Sequence, residues 1–165
     1  MKKYIFFFVL VISWGCSKIL CPAPDLRTSR QDYLNNAIKL DGIFYAQNSN
    51  HQIFLYKNGI YRSGCRNSDI LSIPEKFKCN TDLVYLDSNK KDRTNWGIYL
   101  IKQDSIYMED WRIIGDCTYD VFSHTGKILN DSTLVIPIKY DGRTLDTFRF
   151  AKFSPKPDST NSFIK

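Results

Sequence analysis

"QIFLYKNGIYRSG", residues 52–64, holds the key to how this chain folds. Two runs rich in aromatic and β-branched residues flank Asn58-Gly59, a dipeptide that readily supplies the positive φ angles of a tight type I′ hairpin turn. This reading predicts two antiparallel strands with Tyr56 directly opposite Tyr61. The first run is apolar on both sides, because Ile53 and Leu55 point one way while Phe54 and Tyr56 point the other. Both faces of that strand therefore need cover.

The same grammar extends in both directions. "LDGIFYAQ" (40–47) opens the series; "WGIYLIKQDSIYMEDW" (96–111) turns near Gln103-Asp104, and "GKILNDSTLVIPIKY" (126–140) turns at Asn130-Asp131-Ser132. "TLDTFRFAKF" (144–153) supplies a final strand. Successive hairpins without the long crossovers that parallel strands require imply a mainly β fold: an antiparallel meander of about seven to nine strands. It would form a small up-and-down barrel or a strongly curved sheet. Pro137 cannot donate to a ladder, so its strand should lie at an edge or carry a bulge. Ile98 and Leu100 alternate with Tyr99 and Ile101, again apolar on both faces. One face fills the barrel; the other must be covered by the 68–95 crossover, by the tail or by a partner.

Between residues 68 and 95 the β pattern lapses into a polar stretch that suggests one short helix or a packed crossover. A helical turn is expected around residues 32–39. The prolines of "FSPKPDSTNSFIK" (153–165) forbid regular structure at the end of the chain.

Before all this stands "MKKYIFFFVLVISWGC" (1–16). Lys2 and Lys3 precede an apolar run that falls short of the roughly 20 residues a bilayer-spanning helix needs, so the segment has the anatomy of an export signal. Gly15 before Cys16 is similar to a lipobox, although Ser13 and Trp14 stand where that motif usually has an aliphatic and a small residue. Cleavage would leave Cys16 as residue one, acylated with chains of the palmitate class that hold a soluble domain at a membrane at about 0.8 kcal/mol per buried methylene. Ordinary secretion and an uncleaved anchor are the alternatives. The expected organisation is a lipoprotein signal peptide over 1–15, a lipid-anchored tether over 16–38, a β-barrel domain over 39–153 and a tail over 154–165. The expected location is the cell envelope, at the outer membrane.

Without the signal the chain keeps 21 basic and 17 acidic residues, interspersed, which is too mild a bias for nucleic-acid binding. Export also permits disulfides among Cys21, Cys65, Cys79 and Cys117; of the three possible pairings, Cys65 with Cys79 and Cys21 with Cys117 is preferred, because the first closes a short excursion between strands. No Cys-x-x-Cys pair or histidine spacing suggests a metal.

"LDGIFY", "FLYKNGIY", "WGIYLIKQDSIYMEDW", "GKILNDSTL" and "FRFAKFSPKPDSTN", in this order behind a lipobox-like signal, resemble a group of small lipoproteins of Bacteroidota, chiefly flavobacteria. The resemblance runs from about residue 38 to the end. It implies an envelope location and a lipocalin-like barrel, and it brings no activity and no catalytic residues.

A search for chemistry returns little. No nucleophile elbow, zinc-protease helix, phosphate loop or dinucleotide fingerprint is present. Glu109 and Asp110 beside Trp111 suit a glycosidase pair in type, but adjacent strand residues face opposite sides. Asp141 and Asp146 lack calcium-loop spacing, and "DG" is first of all a turn. His124 would act as a base only if a nucleophile and an orienting acid converged on it. The strand aromatics remain: Tyr45, Tyr56, Trp96, Tyr99, Trp111 and Phe148 would line an apolar pocket if the barrel is open at one end, and would form the core otherwise. The expected function is thus a non-catalytic module, without cofactor, binding a small apolar or amphipathic ligand. The alternative is a structural or partner-binding envelope protein with a filled core.

Overall fold

The computed structural model describes residues 23–33, 37–49, 51–64, 90, 93–115, 118–138, 144–152 and 158–165. Its strands are β1 (Gly42–Ala46), β2 (Gln52–Leu55), β3 (Ile60–Gly64), β4 (Trp96–Lys102), β5 (Ser105–Gly115), β6 (Thr118–Asn130), β7 (Thr133–Pro137) and β8 (Leu145–Lys152). Each pairs antiparallel with the next, and β8 returns to β1 through five residue pairs from Gly42 with Lys152 to Ala46 with Phe148, so the meander closes into a barrel. Every strand therefore has two neighbours, while the β5–β6 hairpin runs past its flanking ladders, which reach only Asp110 on β5 and Lys127 on β6.

The decisive hairpin forms, but with a different turn. Gly59 alone in it has positive φ (+74°); its N–H donates to the Tyr56 carbonyl at 3.1 Å, and the Tyr56 N–H donates to Ile60 O at 2.9 Å. These bonds define a longer loop with a bulge at the glycine, in place of a two-residue type I′ turn. The ladder pairs Leu55 with Tyr61. Tyr56 is therefore not opposite Tyr61, and a shift of one residue carries the two rings to opposite faces. The other two turns lie where expected: Gln103 takes φ +56° between the paired Lys102 and Ser105, and Asn130 Oδ1 accepts from Ser132 N at 2.9 Å. Pro137 ends β7 facing Leu145 of β8, beyond the last β6 partner, Val135, so no ladder bond is lost.

Opposed residues in an antiparallel ladder share a face, so the register sorts the side chains into two layers. Inward are Phe44, Ile53, Leu55, Tyr61, Tyr99, Ile106, Met108, Leu134, Ile136 and Phe148, all buried in one cluster. Inward glycines are filled by their neighbours: a Cβ on Gly97 would stand 2.5 Å from Tyr61 Cε1, one on Gly126 2.9 Å from Ile136 Cγ1, and one on Gly42 2.7 Å from Phe150 Cζ. The interior at these levels is packed with side chains.

Outward are Ile43, Phe54, Ile60, Trp96, Ile98, Trp111 and Val121, which form a second buried cluster. The two ends of the described chain cover it. Ala23 and Leu26 pack there from one side, Phe163 and Ile164 from the other. Trp111 Nε1 donates to Pro24 O at 2.7 Å, and Glu109, buried on the outer face, accepts from Thr28 N at 2.9 Å and Ser123 Oγ at 3.2 Å. The Arg93 guanidinium lies 3.8 Å over the Phe163 ring. Lys90 and Thr160 bond to Asp158 and hold its carboxyl down to about 2. The two-faced strands are thus explained: the chain supplies its own outer layer.

One end of the barrel is capped. Gln31 lies against the Gly59 turn, Tyr33 N donates to Lys57 O, Ile38 enters the inner cluster, and Lys39 binds the β6–β7 turn through Asp131 and Ser132. This end is the base. The β1–β2, β3–β4, β5–β6 and β7–β8 connections leave from the other end, the mouth. Cys16, Cys21, Cys65, Cys79, Cys117 and Asp141 lie outside the described residues, as do nearly all of the 68–95 crossover and residues 34–36 of the expected helical turn. No helix among the described residues is long and apolar enough to cross a membrane, which says nothing of crossing by strands.

Candidate functional site

Because β5 and β6 are the longest strands, their inward faces continue past the packed core and change in character. Successive inward positions on β5 read Ile106, Met108, Asp110, Arg112; opposite them on β6 stand Gly126, His124, Phe122 and Asp120. Alternation alone puts these groups on one face. Apolar packing thus gives way to a polar collar at the mouth.

Asp110 is buried, and Arg112 Nε donates to its Oδ1 at 3.1 Å while the guanidinium lies 5.3 Å over the Phe122 ring. The ring and the carboxylate together fix the Arg112 fork. Asp120 faces Arg112 across the ladder, and its Oδ1 accepts from Val121 N at 2.8 Å. Tyr61, below the collar, is fully buried with its hydroxyl toward Asp110 but in no hydrogen bond of good geometry. Burial first, then the Asp110 charge, push the phenol well above its ordinary range. Tyr61 is a neutral donor held beneath a carboxylate.

His124 lies diagonally from Asp110 on the same face. Desolvation lowers its pKa from 6.5; Asp110 opposes this and Arg112 adds to it. The sign of the linkage follows. With the folded pKa below the unfolded one, the unfolded chain takes the proton first, so the stability contributed by neutral His124 is complete above pH 6.5 and falls as pH drops toward the folded value. Thermal unfolding followed from pH 8 to 5 is expected to show this loss, and His124→Gln to remove that portion of it. An unchanged profile in the variant would assign the pH dependence elsewhere.

The six aromatics expected to line one pocket do not converge. Tyr99 and Phe148 are inward; Tyr99 Oη donates to Tyr56 O at 2.7 Å, and burial, with Tyr33 adding to it, raises its pKa. Tyr56, Trp96 and Trp111 belong to the outer cluster, with Arg62 5.3 Å over the Trp96 ring. Tyr45 faces outward on β1, paired with Gln52 and Arg149, and is half-buried. Glu109 and Asp110 are separated by the sheet itself. Asp146 is occupied by Asn48 N, Asn48 Nδ2 and Thr147 N, all within 3.2 Å, which ties the loop after β1 to β8. Among the described residues no three His, Cys, Asp or Glu side chains gather where a metal could be held. The collar was legible in part: "YMEDWR" places Asp110 and Arg112 two apart on a strand, but only the β5–β6 register adds His124 and Asp120.

Fold and collar together define a class: a closed eight-stranded antiparallel up-and-down barrel with a packed, capped base and a charged mouth. Comparisons with protein-family models, with curated proteins and with solved structures return no match for this chain.

Proposed function

We propose that the chain is an envelope lipoprotein, held at the outer membrane through acyl chains on Cys16, and that its barrel is a non-catalytic binding module for a small amphipathic ligand. The observation that carries the binding role is the inward collar of Asp110, Arg112, Asp120 and His124 directly above an apolar, filled interior. A wholly apolar ligand deep in the barrel finds its place taken by Phe44, Tyr61 and Phe148. An amphipathic one, with its polar group on Arg112 and His124 and its apolar part against Phe122, matches both chemistries. The anchor is supported by the positive, apolar and small-residue anatomy of residues 1–16.

Native mass spectrometry of protein purified from its own membranes tests both parts. A bound small molecule is expected in the wild type, with about tenfold lower occupancy in Arg112→Gln, corresponding to loss of one charge-assisted contact worth roughly 1.5 kcal/mol or slightly more. Cys16→Ala is expected to leave the domain folded and move it out of the membrane fraction. A ligand-free wild type would favour a second reading, supported by the packed glycine positions: a structural or partner-binding envelope protein with a filled core.

A further inference from the structure

From the course of residues 23–33 we infer that the mouth, and not the base, faces the bilayer, with the β5–β6 hairpin dipping Ile113 and Ile114 into the lipid surface. This rests on the lipid anchor proposed above and adds an orientation and an interaction surface to it.

The first support is where the described chain begins. Pro24 meets Trp111 and Thr28 meets Glu109, while Gln31 lies against Gly59 at the base. The segment therefore runs along the outside of the barrel from mouth to base, and its first described residues lie toward the mouth. Six residues lie between Cys16 and Ala23, seven chain steps with a reach of at most about 25 Å when fully extended. A short tether holds the anchor nearest the end of the barrel from which it starts, and that end is the mouth. With the mouth toward the membrane the tether has slack.

The second support is what the mouth presents. Ile113 and Ile114 are 55% and 58% exposed near the end of the longest hairpin, and Leu145, 57% exposed, stands on the same rim at the start of β8. β4 pairs with β5 only as far as Asp110, and no atom among the described residues lies within 4 Å of a Cβ built on Gly115, so this end of β5 runs beyond the β4 ladder. Large apolar side chains at a projecting hairpin end gain by entering the apolar edge of a bilayer, where each buried methylene contributes about 0.8 kcal/mol. The occupant is the phospholipid surface that carries the anchor. Ligand at the collar would then exchange directly with lipid.

The test uses the full mature protein purified from its membranes and reconstituted in phosphatidylethanolamine–phosphatidylglycerol vesicles with and without dibrominated acyl chains. Ile114→Trp reports the hairpin and Leu129→Trp, 54% exposed near the base, reports the opposite end; wild-type emission from Trp96 and Trp111 is subtracted. At least twofold stronger bromine quenching at position 114 than at 129 is expected. Equal quenching, or stronger quenching at 129, overturns the orientation. Intact mass on the same samples reports the anchor separately: an unacylated chain overturns the lipoprotein reading and the orientation with it, whereas an acylated Ile114→Trp chain whose added indole is not quenched overturns the orientation alone.

Discussion

Replacing Gly97 with alanine is expected to destabilise the barrel by about 3 kcal/mol, lowering the thermal midpoint of the mature chain by roughly 10 °C. Gly97 faces inward on β4 with Tyr61 lying across it. A Cβ there would collide with the Glu109 carbonyl oxygen on the neighbouring strand and stand 2.5 Å from Tyr61 Cε1. Neither can yield cheaply. The carbonyl belongs to the β4–β5 ladder, and the Tyr61 ring is fully buried with its hydroxyl toward Asp110. The stabilisation that alanine brings by restricting the unfolded chain, about 0.4–1 kcal/mol, falls well short of this cost. Gly115→Ala is the internal control, because no described atom lies near that position. Circular dichroism melts of the two variants should differ by most of the 10 °C; similar melts would show that the interior around Tyr61 is loose.

The second large effect is expected at the other end of the chain. Removing residues 158–165 strips Phe163 and Ile164 from the outer cluster, unstacks Arg93, and breaks the bonds from Asn58 Nδ2 to Ser159 Oγ at 2.9 Å and from Ser162 N to Lys90 O at 3.0 Å. Burying a large apolar side chain contributes about 1.5–3 kcal/mol, and Phe163 is only half-buried, so the truncation should cost about 4 kcal/mol. The urea midpoint should fall accordingly. The uncovered face of Ile43, Phe54 and Ile98 should also bind an apolar dye and promote self-association. Ile164→Ala alone, at about 2 kcal/mol, separates loss of packing from loss of chain. A truncated protein that unfolds at the wild-type midpoint would show that the tail adds nothing to the barrel.

These two effects also mark where sequence reasoning sufficed and where it did not. That the chain is an antiparallel meander was legible in residues 52–64, 96–111 and 126–140, because strand periodicity and turn chemistry are local: each hairpin is specified by residues within a few positions of its turn. The need for two apolar layers was legible for the same reason, in Ile53 and Leu55 set against Phe54 and Tyr56. Which layer each ring joins was not. Asn58-Gly59 permits both a two-residue turn and a bulged loop, the choice shifts pairing by one residue, and with apolar side chains on both faces the pattern itself does not penalise the slip. Only closure of β8 on β1 and the fit of Tyr61 over Gly97 decide it, which is why Tyr56, Trp96 and Trp111 joined the outer wall and not a pocket. The collar and the outer cover have the same origin. Asp110 with His124, and Trp111 with Pro24, are brought together by contacts between segments 14 and 87 residues apart, which no local pattern encodes. Strands, turns and an apolar demand on both faces follow from neighbours along the chain. Register, inside from outside, and the end of the barrel at which the charges gather come from the closed fold, because those depend on how distant residues exclude one another from the same space.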